Sequence, residues 1–102
     1  MTDPHREALL QRLLPVVRRL YAETENLSPG DGDLQLWYNR GYANGMIQTF
    51  CELGYADRLR SVTRQDPPGL TDGQAFLPWG KAYRHGLEVG AKETQEAMGP
   101  EA

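Results

Sequence analysis

The sequence predicts an all-α protein, a small bundle of three to four helices with a glycine-lined internal pseudo-repeat. Three observations carry this. Apolar residues recur at helical spacing in three long segments, and no run shows the convincing period-two alternation of a strand. Capping and stop residues bracket those segments. A short pattern also occurs twice: Arg40-Gly41-Tyr42-Ala43-Asn44-Gly45-Met46 is echoed by Lys81-Ala82-Tyr83-Arg84-His85-Gly86-Leu87. Each copy reads basic, small, Tyr, two variable positions, Gly, large apolar, and a Trp stands upstream of each, Trp37 and Trp79. A glycine inside a helix costs about 0.8–1 kcal/mol relative to Ala. Several such positions need a compensating gain, and the usual one is close approach of two backbones.

The first helix is expected over 3–25. Asp3 is a good N-cap and Pro4 suits the first helical position. Leu9, Leu10, Leu13, Val16, Val17 and Leu20 then share one face. Pro15 lacks an N–H and its ring meets the carbonyl of Gln11, so a kink is expected. The apolar face continues across it, which favours one kinked helix. Ser28-Pro29-Gly30-Asp31-Gly32 reads as a loop.

Asp33 caps the second helix, expected over 33–53 and stopped by Gly54. Tyr38, Tyr42, Met46, Phe50 and Leu53 form one face; Trp37, Gly41, Gly45 and Thr49 form an adjoining stripe. A short third helix is expected over 55–64, with Leu59 and Val62 inward. Thr71-Asp72-Gly73-Gln74 has the spacing of a capping box, so a capped turn is expected over 71–76. Pro78 pushes Leu77 toward an extended conformation. The last helix therefore runs over 78–98, with Trp79, Tyr83 and Leu87 on one stripe and Ala82, Gly86, Gly90 and Thr94 on another.

At 102 residues the chain is one domain, long enough for a modest core without staples. Its net charge of −3 argues against a generic polyanion binder, yet is too mild for a nucleic-acid mimic. Cys51 is the sole cysteine, which excludes an intrachain disulfide and a paired-cysteine zinc site. No stretch approaches the roughly 18 consecutive apolar residues of a membrane span. No signal-like run opens the chain, so a cytoplasmic location with no membrane partner is expected.

Catalytic chemistry finds little support in the motifs. His5 and His85 are far apart, and with one cysteine they make a poor nucleophile–base set. No glycine-rich phosphate loop, HExxH, paired carboxylate motif or EF-hand loop is present. The expectation is a non-enzyme with no catalytic residue, metal or cofactor.

The twin motif has two readings. In one, the small stripes of the second and fourth helices face each other or the first helix, and the tryptophans cover the seam. In the other, the motif is a duplicated clamp, with Tyr42 and Tyr83 as stacking platforms and Arg40 and Lys81 holding an anion. The same residue types also suit a protein interface. Two tryptophans are a large apolar area for so small a bundle. At least one is expected at a surface used for binding or self-association, with a homodimer the simplest outcome. The expected partner-binding residues are Trp37, Arg40, Tyr42, Trp79, Lys81, Tyr83 and Arg84. A secondary basic face comprises Arg58, Arg60 and Arg64.

The string Arg40-Gly41-Tyr42-x-x-Gly45, with a second Trp-anchored helix bearing Lys81-Ala82-Tyr83, resembles the helix motif of ribosome modulation factor-type bacterial proteins. The resemblance rests on these short motifs and implies binding to ribosomal RNA. That family is strongly basic and this chain is acidic. The leading expectation is therefore a helical protein-binding module, acting as a small regulator, adaptor or inhibitor of another protein. The alternative is a nucleic-acid- or ribosome-associated factor using Tyr42, Tyr83 and the basic residues.

Overall fold

Among the described residues four helices follow in chain order: α1 (Pro4–Glu23), α2 (Leu34–Glu52), α3 (Ala56–Arg60) and α4 (Pro78–Met98). The structure is a computed structural model that describes residues 4–24, 33–60, 73 and 76–99, and no strand occurs among them. The all-α class stands, as do the three long helices. α1 runs through Pro15 as one helix. The third helix is described only over Ala56–Arg60, shorter than the 55–64 expected; Leu59 is buried as expected, and Val62 and Arg64 lie outside the described residues. Thr71, Asp72 and Gln74 of the expected capped turn also lie outside them.

Local signals set the ends of α2. Asp33 is extended, and its carboxylate accepts from the backbone N–H of Gln35 at 3.0 Å and of Leu36 at 3.3 Å. At the other end Gly54 takes φ +99°, a conformation that favours glycine. Its N–H donates to the Cys51 carbonyl, and the Tyr55 N–H donates to that of Phe50. This is the Schellman arrangement, with Tyr55 packed on the core beside Phe50. α4 begins as the sequence predicts, with Leu77 extended before Pro78.

α2 is the central helix, buried on two faces. Ala43, Met46, Ile47 and Phe50 form a core with Leu10, Val17 and Tyr21 of α1, closed by Leu59 and Met98. Trp37, Gly41, Gly45 and Thr49 turn the other way, toward α4. A helix buried this widely shows no clean polar face.

α1 runs antiparallel to α2. Arg40, near the start of α2, donates to the carbonyl of Thr24 just past the end of α1. Arg6, near the start of α1, donates to the carbonyls of Met98 and Gly99 at 3.1 and 3.0 Å. A cation on the last carbonyls of α4 satisfies acceptors that have no intrahelical donor and complements the helix dipole.

α2 and α4 run in the same direction. Trp37 meets Trp79, Gly41 meets Tyr83 and Leu87, Gly45 meets Leu87 and Ala91, and Thr49 donates to the Ala91 carbonyl at 3.2 Å. Position advances together on both helices, so they are parallel. The glycines are what let them touch. A Cβ added at Gly41 would stand 2.8 Å from the carbonyl carbon of Tyr83, and one at Gly45 would stand 2.6 Å from the Ala91 nitrogen. From the other side, a Cβ at Gly86 or Gly90 would stand 2.9 Å from the carbonyl carbon of Tyr38 or Tyr42. In each case the carbonyl oxygen is closer still, so backbone packs on backbone.

The level positions are Gly41 with Gly86, Gly45 with Gly90 and Thr49 with Thr94. The repeat that the fold uses is thus Gly-x-x-x-Gly-x-x-x-Thr, once on each helix. It is one helical turn out of step with the sequence alignment of Tyr42 on Tyr83. The small-residue spacing is the one that brings membrane helices together, but no described helix here is long and apolar enough to cross a membrane.

Candidate functional site

The aromatic motif residues gather at one end of the α2–α4 pair. The ring centroids of Trp37 and Trp79 lie 4.5 Å apart, and those of Trp37 and Tyr83 lie 6.3 Å apart in an edge-on arrangement. These are favourable geometries for aromatic pairs. All three are buried, with Leu77, Ala82 and Leu87 packed round them. The sequence placed at least one tryptophan at a surface; instead Trp37 is 2% exposed and Trp79 5%. The correction has a physical cause. The glycine seam brings the two backbones together, and each indole can then close over the seam onto the other helix. Tyr83 is withdrawn with them and offers no stacking platform.

Arg40 is also engaged within the molecule. Its guanidinium stands 4.2 Å from the centroid of the Tyr21 ring and donates to the carbonyl of Thr24 at 3.0 Å and its hydroxyl at 3.2 Å. It thus closes the C-terminal end of α1, where a cation is favourable, and stacks on an aromatic face. Arg58 pairs with Glu7 and ties α3 to the start of α1. Arg60 ends α3, and Arg64 lies outside the described residues. The expected basic face is therefore represented by Arg58, which holds two elements together.

Tyr42 is half-buried beside Gly86 and Gly90, and its hydroxyl donates to Glu93 at 3.1 Å. Tyr38 lies next to it, edge-on to His85 with centroids 5.4 Å apart. Burial first, then the Glu93 hydrogen bond and the nearby negative charge, push the Tyr42 phenol above its usual value. The folded state therefore holds this proton more tightly than the unfolded chain does. The stabilisation is complete below about pH 10, the ordinary phenol value, and fades as pH rises through the higher folded value. In melting curves taken from neutral to alkaline pH, Tyr42→Phe should flatten the alkaline fall in stability while leaving neutral stability nearly unchanged. Parallel curves for the two proteins would show that the hydroxyl carries no such linkage.

No known protein family, curated protein or solved structure matches this chain. The motif shared with ribosome modulation factor-type proteins therefore assigns no family.

Of the seven partner-binding residues expected from sequence, the structure buries Trp37, Trp79 and Tyr83 and engages Arg40 and Tyr42 internally. Lys81 and Arg84 stay exposed on α4. Two residues that sequence reasoning passed over are exposed as well. Phe76 is 71% exposed and Leu34 45%. Leu34 opens α2 and Phe76 precedes α4, so both stand at the N-terminal end of the parallel pair, next to the Trp37–Trp79 contact. Their signal in the sequence was position. A first-turn residue has few neighbours on its own helix, and a residue just before a Pro-started helix lies off the helix stripe.

Proposed function

We propose that this protein is a non-enzymatic helical binding module that acts on another protein as a small regulator, adaptor or inhibitor. The observation that carries this reading is the exposed pair Phe76 and Leu34 at one end of α2 and α4. The buried cluster of Trp37, Trp79 and Tyr83 lies on the same two helices, near the same end. Lys81 and Arg84, exposed on the first two turns of α4 on the side away from the glycine line, add positive charge toward the same end of the helix. An aromatic anchor with arginine near it is the residue chemistry of protein interfaces. The contact residues on this reading are Leu34, Phe76, Lys81 and Arg84, outside the buried Trp37, Trp79 and Tyr83.

The test is capture of partners from lysate by the immobilised protein, by Phe76→Asp and by Leu34→Asp. Both positions are exposed, so both variants should keep the parent melting temperature. The expected result is a protein partner retained after nuclease treatment and at 200 mM salt, and lost with either substitution. Nucleic-acid contacts behave otherwise, because several phosphate contacts lose roughly 10³-fold in affinity between 50 and 200 mM salt. Capture that vanishes on nuclease treatment would replace this reading with the ribosome- or nucleic-acid-associated one.

A further inference from the structure

α1 carries more apolar surface than α2 covers. Its apolar residues make two adjacent ladders, each with the four-three-four spacing of a helix-packing seam. Leu10, Leu14, Val17 and Tyr21 form the first, and Leu10, Val17 and Tyr21 of it are buried against α2. Leu9, Leu13, Val16 and Leu20 form the second. All four are only half-buried, although they pack against the edge of the same core. Pro15 is exposed on the far side of the helix and does not interrupt this ladder.

Among the described residues the charges beside the ladder are mostly basic, with Glu23 the acidic exception. Arg12 and Arg19 project along its outer edge, both exposed, and Arg18 is exposed on the solvent side. Arg19 makes an open contact with Glu23 at 3.8 Å, and Arg12 has no ion pair with any described residue. The chain as a whole has a net charge of −3, so this is a local reversal.

We propose that the outer ladder of α1 is a docking seam for an acidic amphipathic helix of another protein. The seam has the width of one helix, and leucines at this spacing accept the knobs of a facing helix. Arg12 and Arg19 occupy the seam-flanking positions, where opposite charge on the partner sets pairing. A second copy fits less well. Antiparallel pairing of two such ladders would set Arg12 of one copy beside Arg19 of the other. An anionic lipid surface is also a poorer match, since it takes a broad apolar face rather than a ladder one residue wide. This seam is separate from the Leu34–Phe76 end.

The test uses the full chain and two labelled heptad peptides, both with leucine at the seam positions. One carries Glu at the flanking positions and the other carries Lys. By fluorescence anisotropy the Glu peptide should bind about tenfold or more tighter than the Lys peptide, as expected for close interfacial charge pairs. Arg12→Glu combined with Arg19→Glu should invert that preference, and exposed positions allow the change without loss of the fold. Leu13→Gln and Leu20→Gln should weaken both peptides, with circular dichroism confirming intact helices. Phe76→Asp should change nothing, which keeps this result distinct from the reading of the other end. Equal binding of the two peptides, indifference to the arginine reversal, or loss with Phe76→Asp would each overturn the proposal. So would a preference for phosphatidylglycerol vesicles over the Glu peptide, or a dimer mass in light scattering that Leu13→Gln abolishes.

Discussion

Gly45→Ala and Gly86→Ala should each lower the melting temperature by about 12 °C or more. Helix propensity predicts the opposite sign, since Ala is favoured over Gly by about 0.8–1 kcal/mol inside a helix. Contact geometry decides against it. The new methyl at Gly86 would stand 2.9 Å from the Tyr38 carbonyl carbon and from the Tyr42 nitrogen, closer than real Cβ atoms come to anything. Those atoms are backbone and cannot rotate away as a side chain could. The only relief is to separate α2 from α4, which loosens the Trp37–Trp79 contact and the Thr49 hydrogen bond together. Overpacking costs typically 1–3 kcal/mol and occasionally more, and a backbone obstacle belongs at the upper end, about 3 kcal/mol. At roughly 4–8 °C per kcal/mol for a domain of this size, that is the stated shift. The double variant should cost less than the sum, because one separation relieves both clashes. A variant that melts at or above the parent temperature would show that the two stripes are not in contact.

The helix ends were legible because their signals are local. Asp33, Gly54 and Pro78 act on their immediate neighbours, and each does in the structure what the sequence implies. The small stripes were legible too, since spacing alone puts Gly41, Gly45 and Thr49 on one line. Register was not. Similarity of Tyr42 to Tyr83 reports that two helices have like surroundings, whereas register is set by which small residue faces which carbonyl across the seam. The fates of Arg40 and of the tryptophans were illegible for a related reason. Arg40 finds Tyr21 and Thr24 only because α1 lies antiparallel on α2, a fact no local window contains. Lys81 and Arg84, by contrast, lie opposite the glycine line on α4, so helical periodicity alone leaves them exposed.

The largest single loss is expected from the aromatic end. Trp79→Ala should destabilise by about 3–5 kcal/mol, the usual cost of truncating a buried large aromatic. Small domains have only about 5–15 kcal/mol in total, so the variant should sit near the edge of folding. Urea denaturation should show a lower midpoint with an unchanged slope, as for a loss of stability without a change in the exposed surface. Trp37→Phe and Trp79→Phe keep a ring in place and should cost much less. Their double-mutant cycle should return a coupling of about 0.5–1.5 kcal/mol, as for other aromatic pairs beyond their buried area. The parent fluorescence should be shielded from acrylamide and unchanged on dilution, because the indoles cover each other within one chain. A red shift on dilution, or a Trp79→Ala protein within about 1 kcal/mol of the parent against the cost expected for a buried ring, would return the tryptophans to a surface. The site would then be the twin motif itself. With both rings shielded, the exposed large apolar side chains at that end of the helix pair, among the described residues, are Leu34 and Phe76, the two on which the proposed binding reading rests.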